Sequence, residues 1–266
     1  MLSGTQLDGV ALVVGSGRGI GQQAAFLIAE AGARVIVFAD LNEENARASA
    51  EESKQYASNK SYEATYFHVN VTDEKGVQAM VDFVIERFGS LDYAVNAAGF
   101  DNGVHTRVAE IDIENYGRIM NINAKGTMLY VRAEAAAMRK QTSKTFTSRN
   151  GTRHIGRGAI VIIASANSFA GLPGKGCYTI SKHAVMAICK MAGLDHAAEG
   201  VRCNAVCPTW NPKVSGMIDA MCPIKRAAEY EEVGDTVAYL LSPPASYIIG
   251  TSLIVDAGIT TTVRLF

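Results

Sequence analysis

Charge of one sign is the first thing missing from this 266-residue chain: 25 Lys and Arg stand against 26 Asp and Glu, a net charge of -1. Nothing in that balance attracts a polyanion, so neither nucleic acid nor an anionic membrane surface is an expected partner. No apolar run reaches the ~20 residues that span a bilayer. The opening Met1–Gln6 lacks the charged and apolar blocks of a secretory leader. Cysteine is scarce and unpatterned. Cys177, Cys189, Cys203, Cys207 and Cys222 are odd in number and have no Cys-x-x-Cys spacing. That excludes a paired-disulfide framework, argues against a metal site at Cys203 and Cys207, and fits reduced thiols in a cytoplasmic protein.

What is present in quantity is apolar residue, 48% of the chain, enough for one large core. Short β-branched runs alternate with longer helical segments. This order predicts a single α/β domain over 1–266 with a doubly wound parallel sheet, a Rossmann fold. Strands are expected at 10–14, 33–39, 64–69, 91–95, 158–164, 201–207 and 251–255, in the order 3-2-1-4-5-6-7. Helices are expected on both faces near 19–31, 42–58, 73–88, 113–139, 178–198 and 229–242.

The first strand runs directly into Gly15-Ser16-Gly17-Arg18-Gly19-Ile20-Gly21 and then a helix. A strand, a glycine-rich turn and a helix N-terminus together form a dinucleotide cradle. Gly15 permits the tight turn, Gly19 lets backbone approach a pyrophosphate, and Gly21 lets helix and strand pack closely. Taken alone, the same glycines also read as a flexible loop. The second strand ends at Asp40, about 20 residues further on, where a carboxylate accepts from ribose hydroxyls and repels a 2′-phosphate. That favours NAD(H). Arg18 in the loop pulls toward NADP(H), and Asp40 also reads as a cap for the helix that follows.

Chemistry is suggested by Tyr178-Thr179-Ile180-Ser181-Lys182, with Ser165 upstream. On a helix Tyr178 and Lys182 stand one turn apart on the same face. An ammonium near a phenol lowers its pKa from ~10 and readies it for proton exchange with a substrate oxygen. Ser165 would hold that oxygen. The trio suits interconversion of a carbonyl and an alcohol.

These residues resemble the short-chain dehydrogenase/reductase family over nearly the whole chain. Gly15, Gly19 and Gly21 match its glycine motif. Asn96-Ala97-Ala98-Gly99 resembles its Asn-Asn-Ala-Gly segment, and Asn123 falls on its catalytic Asn. Ser165, Tyr178 and Lys182 keep its spacing, and Asn204, Pro208 and Val255-Asp256-Ala257-Gly258 match its later segments. The resemblance implies that Tyr178 is the acid/base, Ser165 orients the substrate, and Lys182 lowers the Tyr pKa and bonds the nicotinamide ribose. Asn123 would hold a water in a proton relay. It also implies cofactor contacts at Ile20, Asn70, Val71, Asn96, Ala97, Gly99 and Pro208. Three departures stand out. Asn70 replaces a frequent Asp. Thr209 and Lys213 replace a Gly and a Thr, although Lys213 can still meet a phosphate as a point charge. The 209–224 substrate lid is short, so the pocket is either open or completed by a neighbouring subunit.

Phe100, Asn167, Phe169, Trp210 and Met217 are the candidate substrate residues, an apolar wall suited to a mid-sized cyclic alcohol or ketone. The polar, basic 139–157 insertion reads as a solvated surface loop, or as a docking patch for an acidic partner. With Ala166–Gly174 it resembles oxidoreductases of filamentous-fungal secondary metabolism. Apolar residues spread around helix 178–198 point to a homo-oligomer, dimer or tetramer. The expected function is an NAD(H)-dependent alcohol dehydrogenase or ketoreductase. The alternatives are an NADPH-dependent ketoreductase, a non-redox cyclase or epimerase on the same scaffold, and a silent binding subunit.

Overall fold

A computed structural model describes residues 5–209 and 222–261. Seven strands form one all-parallel sheet. They are β1 (Val10–Val14), β2 (Val35–Asp40), β3 (Glu63–His68), β4 (Tyr93–Asn96), β7 (Gly158–Ile163), β8 (Val201–Pro208) and β9 (Ser252–Val255), in the order β3-β2-β1-β4-β7-β8-β9. Counting only these strands, the order is the expected 3-2-1-4-5-6-7. The inner strands β1, β2 and β7 read as nearly continuous apolar runs because both faces are covered, whereas the edge strands β3 and β9 are only partly buried. Val10, Leu12 and Val14 enter one core layer and Ala11 and Val13 the other; β2 divides in the same way. Helices α1 (Gly19–Glu30), α2 (Glu43–Ser53) and α7 (Tyr230–Leu241) cover one face. Helices α3 (Glu74–Phe88), α5 (Thr127–Met138) and α6 (Gly176–His196) cover the other. No helix among the described residues is long and apolar enough to cross a membrane.

Two regions differ from the sequence expectation. The helix expected over 113–139 is interrupted. It forms α4 (Ile113–Met120), a wide π turn at Asn121–Gly126, then α5. The insertion at 139–157 is not a plain loop. Strands β5 (Lys144–Ser148) and β6 (Gly151–Gly156) pair antiparallel around a turn at Arg149-Asn150. Cross-strand hydroxyls meet at Thr147 and Thr152, 2.8 Å apart. Arg153 bonds the Pro243 carbonyl at 3.3 Å and lies 4.9 Å over the Phe146 ring, which fastens the hairpin to the body.

One polar pair sits inside the core beneath the end of β4. Asn96 Nδ2 donates to Glu134 Oε2 at 2.7 Å, and both residues are fully buried. The two remaining oxygens of the pair, Asn96 Oδ1 and Glu134 Oε1, have no hydrogen-bond partner among the described residues. A proton on Glu134 supplies the donor these two acceptors lack. Burial pushes the Glu134 carboxyl up to about 8, against the opposing pull of the Asn96 bond.

The sign of the pH dependence follows. Between the ordinary carboxyl value of 4.5 and about 8 the folded chain keeps a proton that the unfolded chain has released. Stability attributable to this group therefore falls with rising pH across that window, by roughly 1.4 kcal/mol per unit, and levels off above it. Glu134→Gln offers a neutral carboxamide and does not titrate. Urea unfolding at pH 5.5 and pH 8 should show the variant gaining on the native chain at the higher pH. An identical pH slope in both proteins would rule out a protonated Glu134.

Candidate active site

The glycine loop follows β1 at the carboxyl end of the sheet, where β2 and β4 diverge on either side of β1. Gly15 has φ +80, and a Cβ there would lie 2.5 Å from the Ala98 nitrogen. A Cβ on Gly21 would lie 2.2 Å from the Gly15 carbonyl oxygen. Only glycine permits this approach of loop, helix and β4 extension. At Gly19 the space is open, with Tyr230 the nearest side chain at 3.9 Å. Helix α1 starts with no side-chain cap: Arg18 is extended, exposed, and makes no capping bond. An uncapped helix N-terminus beside a glycine cradle fits a dinucleotide pyrophosphate.

Asp40 closes the cradle at the end of β2. Its Oδ2 accepts from the Gly17 N–H at 2.9 Å and its Oδ1 from the Asn42 N–H at 2.9 Å. The carboxylate is thus fixed against the glycine loop. The N-cap of α2 is Asn42, which accepts from Asn45. Asn70 is exposed and engages its carboxamide oxygen with the Thr72 N–H and hydroxyl at 3.0 and 2.8 Å. The Asn96 side chain faces the core and Glu134. It serves the site through the Ala97–Gly99 backbone that follows, which is anchored where the Ala97 N–H meets the Val14 carbonyl at 2.8 Å. Pro208 ends β8, and the adjoining Thr209 N–H bonds the Val255 carbonyl at 3.2 Å.

The four residues expected to carry chemistry come from three places in the chain. Ser165 lies just past β7, Tyr178 and Lys182 lie in the first turns of α6, and Asn123 lies in the π turn. Such single wide turns recur at functional positions. The Lys182 ammonium donates to the Ile163 carbonyl at 2.9 Å and stands 5.7 Å from the Tyr178 ring centroid. A Cβ on Gly99 would lie 3.4 Å from Lys182 Nζ and 3.6 Å from Asn123 Oδ1. The β4 extension, the π turn and α6 therefore converge here. Ser165 caps the short turn after β7 by accepting from the Asn167 N–H at 3.1 Å, and its hydroxyl is close enough to Tyr178 to pull the phenol down.

Two electrostatic findings differ from the sequence expectation. Burial is the largest influence on Tyr178 and pushes its phenol up to about 12. The Ser165 hydroxyl pulls it down, and Asp101 and Cys207 add to the rise. Burial also pushes Lys182 down to about 8, opposed by Cys207. Lys182, 5.7 Å from the ring centroid, does not offset this desolvation. The Asn123 carboxamide is also engaged with protein. It accepts from the Phe100 N–H at 2.7 Å and donates to the Phe100 carbonyl at 2.9 Å and to Ser181 Oγ at 3.0 Å.

Beside Tyr178 lies a cavity of about 200 Å³. Its walls are the loop after β4 and the segment before α6, including Asp101, Asn115, Lys175 and Cys177. Of the expected substrate residues, Phe100 lies under the Arg118 guanidinium, 4.5 Å from the ring centroid. Asn167 donates to Thr179 Oγ1 at 3.4 Å, and Phe169 is exposed. None of these three lines the cavity. Trp210, Lys213, Met217 and most of the 209–224 lid lie outside the described residues. Sequence reasoning passed over Lys175. Its one signal is its place between Gly174 and Gly176, just ahead of Tyr178.

A family model described as enoyl-(acyl carrier protein) reductase matches residues 14–260. The chain is 37% identical over 271 residues to the short-chain dehydrogenase anuF of Penicillium roqueforti, an alignment covering 97% of this chain and 98% of that one. It is 31% identical over 261 residues to a cyclohexanol dehydrogenase of Acinetobacter, with 94% of each chain covered. The crystal structure of a short-chain type dehydrogenase/reductase from Mycobacterium marinum superposes with a TM-score of 0.85 at 26% identity, covering 98% of this chain and 99% of that one.

The glycine geometry makes a direct prediction. Gly21→Ala forces the helix off the Gly15 carbonyl and should cost about 1–3 kcal/mol, as overpacking does. Gly117→Ala on the exposed face of α4 meets nothing within 4 Å and should leave stability unchanged or raise it. Thermal unfolding of the two variants side by side checks this. Equal Tm values would show that the contact is not tight.

Proposed function

The chain belongs to the short-chain dehydrogenase/reductase family of oxidoreductases acting on CH–OH groups, and from that premise we propose that it interconverts a secondary alcohol and a ketone on a mid-sized, largely apolar cyclic substrate, with NAD(H) and with Tyr178 as acid/base. The observation that carries the reading is the convergence of Ser165, Tyr178 and Lys182 beside a glycine cradle. The cyclic substrate is supported by similarity to a cyclohexanol dehydrogenase. The reading of a fungal secondary-metabolism enzyme rests on the 139–157 insertion and Ala166–Gly174, and the relative of 37% identity is a fungal short-chain dehydrogenase.

The glycine loop and the α1 N-terminus would hold the pyrophosphate. Asp40 would hold the adenosine ribose, and Val71 and Asn70 would flank the adenine. Lys182 would hold the nicotinamide ribose. Nicotinamide, when bound, gives or takes the hydride. The protein's own part is proton transfer and placement. A phenol raised to about 12 is protonated at neutral pH, so Tyr178 Oη is ready to give its proton to a carbonyl oxygen. Ser165 Oγ, beside that phenol, would hold the same oxygen. Lys182 carries its charge below about 8 and there favours the phenolate left behind. The resting protonation states therefore suit ketone reduction.

NAD(H) preference rests on the fixed Asp40 carboxylate, because a 2′-phosphate beside it meets a like charge. Arg18, exposed in the same loop, is the observation that favours NADPH instead. Homo-oligomerisation is supported by exposed Ile180, Met191 and Leu194 on α6 and Met128 on α5. Five free thiols support a reducing, cytoplasmic setting.

Tyr178→Phe removes the proton donor and keeps the ring. Turnover of a cyclic ketone with NADH should fall by ~10²–10⁴-fold, while a fluorescence titration still detects NADH binding. Retention of full turnover would overturn the assignment of Tyr178. Asp40→Ala should shift the ratio of NADH to NADPH affinity toward NADPH by about tenfold. An unchanged ratio would refute Asp40 as the selector.

A further inference from the structure

The cavity beside Tyr178 holds a charge pair to which neither the proton transfer nor the dinucleotide cradle assigns a task. Lys175 Nζ lies 2.8 Å from Asp101 Oδ2, with the two side chains 10% and 33% exposed. Lysines are seldom buried this far unless a partner compensates the lost hydration. The pair joins two loops that meet at the site. Asp101 follows Phe100, whose backbone N–H and C=O are both gripped by Asn123. Lys175 is the N-cap residue of α6, three positions before Tyr178. Thr106 bridges the same loops, its N–H donating to the Gly174 carbonyl at 2.8 Å. The pair is thus held at a fixed position relative to the phenol from two sides. Asp101 also reaches the phenol electrostatically.

The pair offers complementary hydrogen-bonding capacity. Asp101 Oδ2 accepts from Lys175 and Oδ1 accepts from the Gly103 N–H at 3.2 Å, which leaves lone pairs on both oxygens. An ammonium has three donors and no acceptor. Together they present a donor and an acceptor to one small space. A hydroxyl group, which both gives and takes a hydrogen bond, satisfies the two at once; a hydrocarbon edge satisfies neither. At about 200 Å³ the cavity is smaller than the ~300–1,000 Å³ of a whole small-molecule site. It suits one end of a substrate.

We propose that Lys175 and Asp101 form a second polar anchor that binds a hydroxyl on the substrate away from the reacting carbonyl, so that the enzyme selects hydroxylated cyclic ketones over unsubstituted ones. This deepens the oxidoreductase reading and rests on it for the identity of the reacting group.

Calorimetric binding to the NADH-loaded protein tests the anchor without relying on turnover. The probes are 4-hydroxycyclohexanone and cyclohexanone, or the corresponding pair of hydroxylated and plain tetralones. The native chain should bind the hydroxylated member at least about tenfold tighter, as expected for a charge-assisted hydrogen bond. Lys175→Met should bring that ratio close to one. Because the single change leaves Asp101 unpaired, the double variant Lys175→Met, Asp101→Leu provides a folded comparison with both charges gone. It too should lose the ratio. Lys175→Arg should restore part of it. No preference in the native chain, or an undiminished ratio in the double variant, would overturn the anchor. A binding preference that disappears in the variants supports the anchor even if no ketone is turned over; that absence of turnover would count against the oxidoreductase reading alone.

Discussion

Everything at the carboxyl end of this sheet depends on one close approach of backbone. The Gly15 turn presses on the Ala97–Ala98 segment, and the first turn of α1 presses on the Gly15 carbonyl through Gly21. Three elements meet at distances that no side chain tolerates. The contact sits where the chain leaves β1 and the sheet order reverses, and it fixes two things at once. It aims the free N–H groups of α1 across the crevice, and it holds the β4 extension so that Gly99 lies against Lys182 and Asn123. The glycine cradle and the Ser165–Tyr178–Lys182 cluster proposed for proton transfer are two sides of the same packed junction.

Burial sets the electrostatics of that junction. An exposed Tyr-Lys pair one helical turn apart would interact weakly through water. Here the surrounding protein raises the phenol and lowers the ammonium, moving each toward its neutral form. Desolvation acts on each group separately and exceeds their mutual effect across 5.7 Å between ammonium and ring centroid. The protein thus presents a protonated phenol beside a lysine poised near the physiological range. Both states are set before any substrate arrives. The same physics operates one layer deeper at Glu134, where burial with a single amide partner favours the protonated acid.

The sheet was legible because parallel strands buried on both faces leave short, dense apolar runs that nothing else in a soluble chain resembles. The pairing of Tyr178 with Lys182 was legible because the two are four residues apart on one helix, a local relation. The π turn was not. Its one extra residue per turn leaves the apolar period of α4 and α5 nearly continuous. The hairpin was not legible either, because its turn at Arg149-Asn150 and its strands carry basic and polar residues that read as a solvated loop. The Lys175–Asp101 pair spans 74 positions, and no local pattern announces a contact made only when two loops fold onto each other.

Asn123 ties the loop after β4 to helix α6. Its carboxamide meets both backbone groups of Phe100 and the hydroxyl of Ser181, one acceptor and two donor functions in use at once. An aspartate would keep the bond from the Phe100 N–H and lose both donations. A glutamine, one methylene longer, would have to displace the Phe100 backbone it grips. The wide turn is what places this particular side chain between the β4 extension and α6. Through Phe100 it positions Asp101, and through Ser181, whose hydroxyl donates to the Tyr178 carbonyl at 2.7 Å, it steadies the turn of α6 that carries the phenol. A residue engaged so completely with protein holds the β4 extension and α6 at a constant distance from each other.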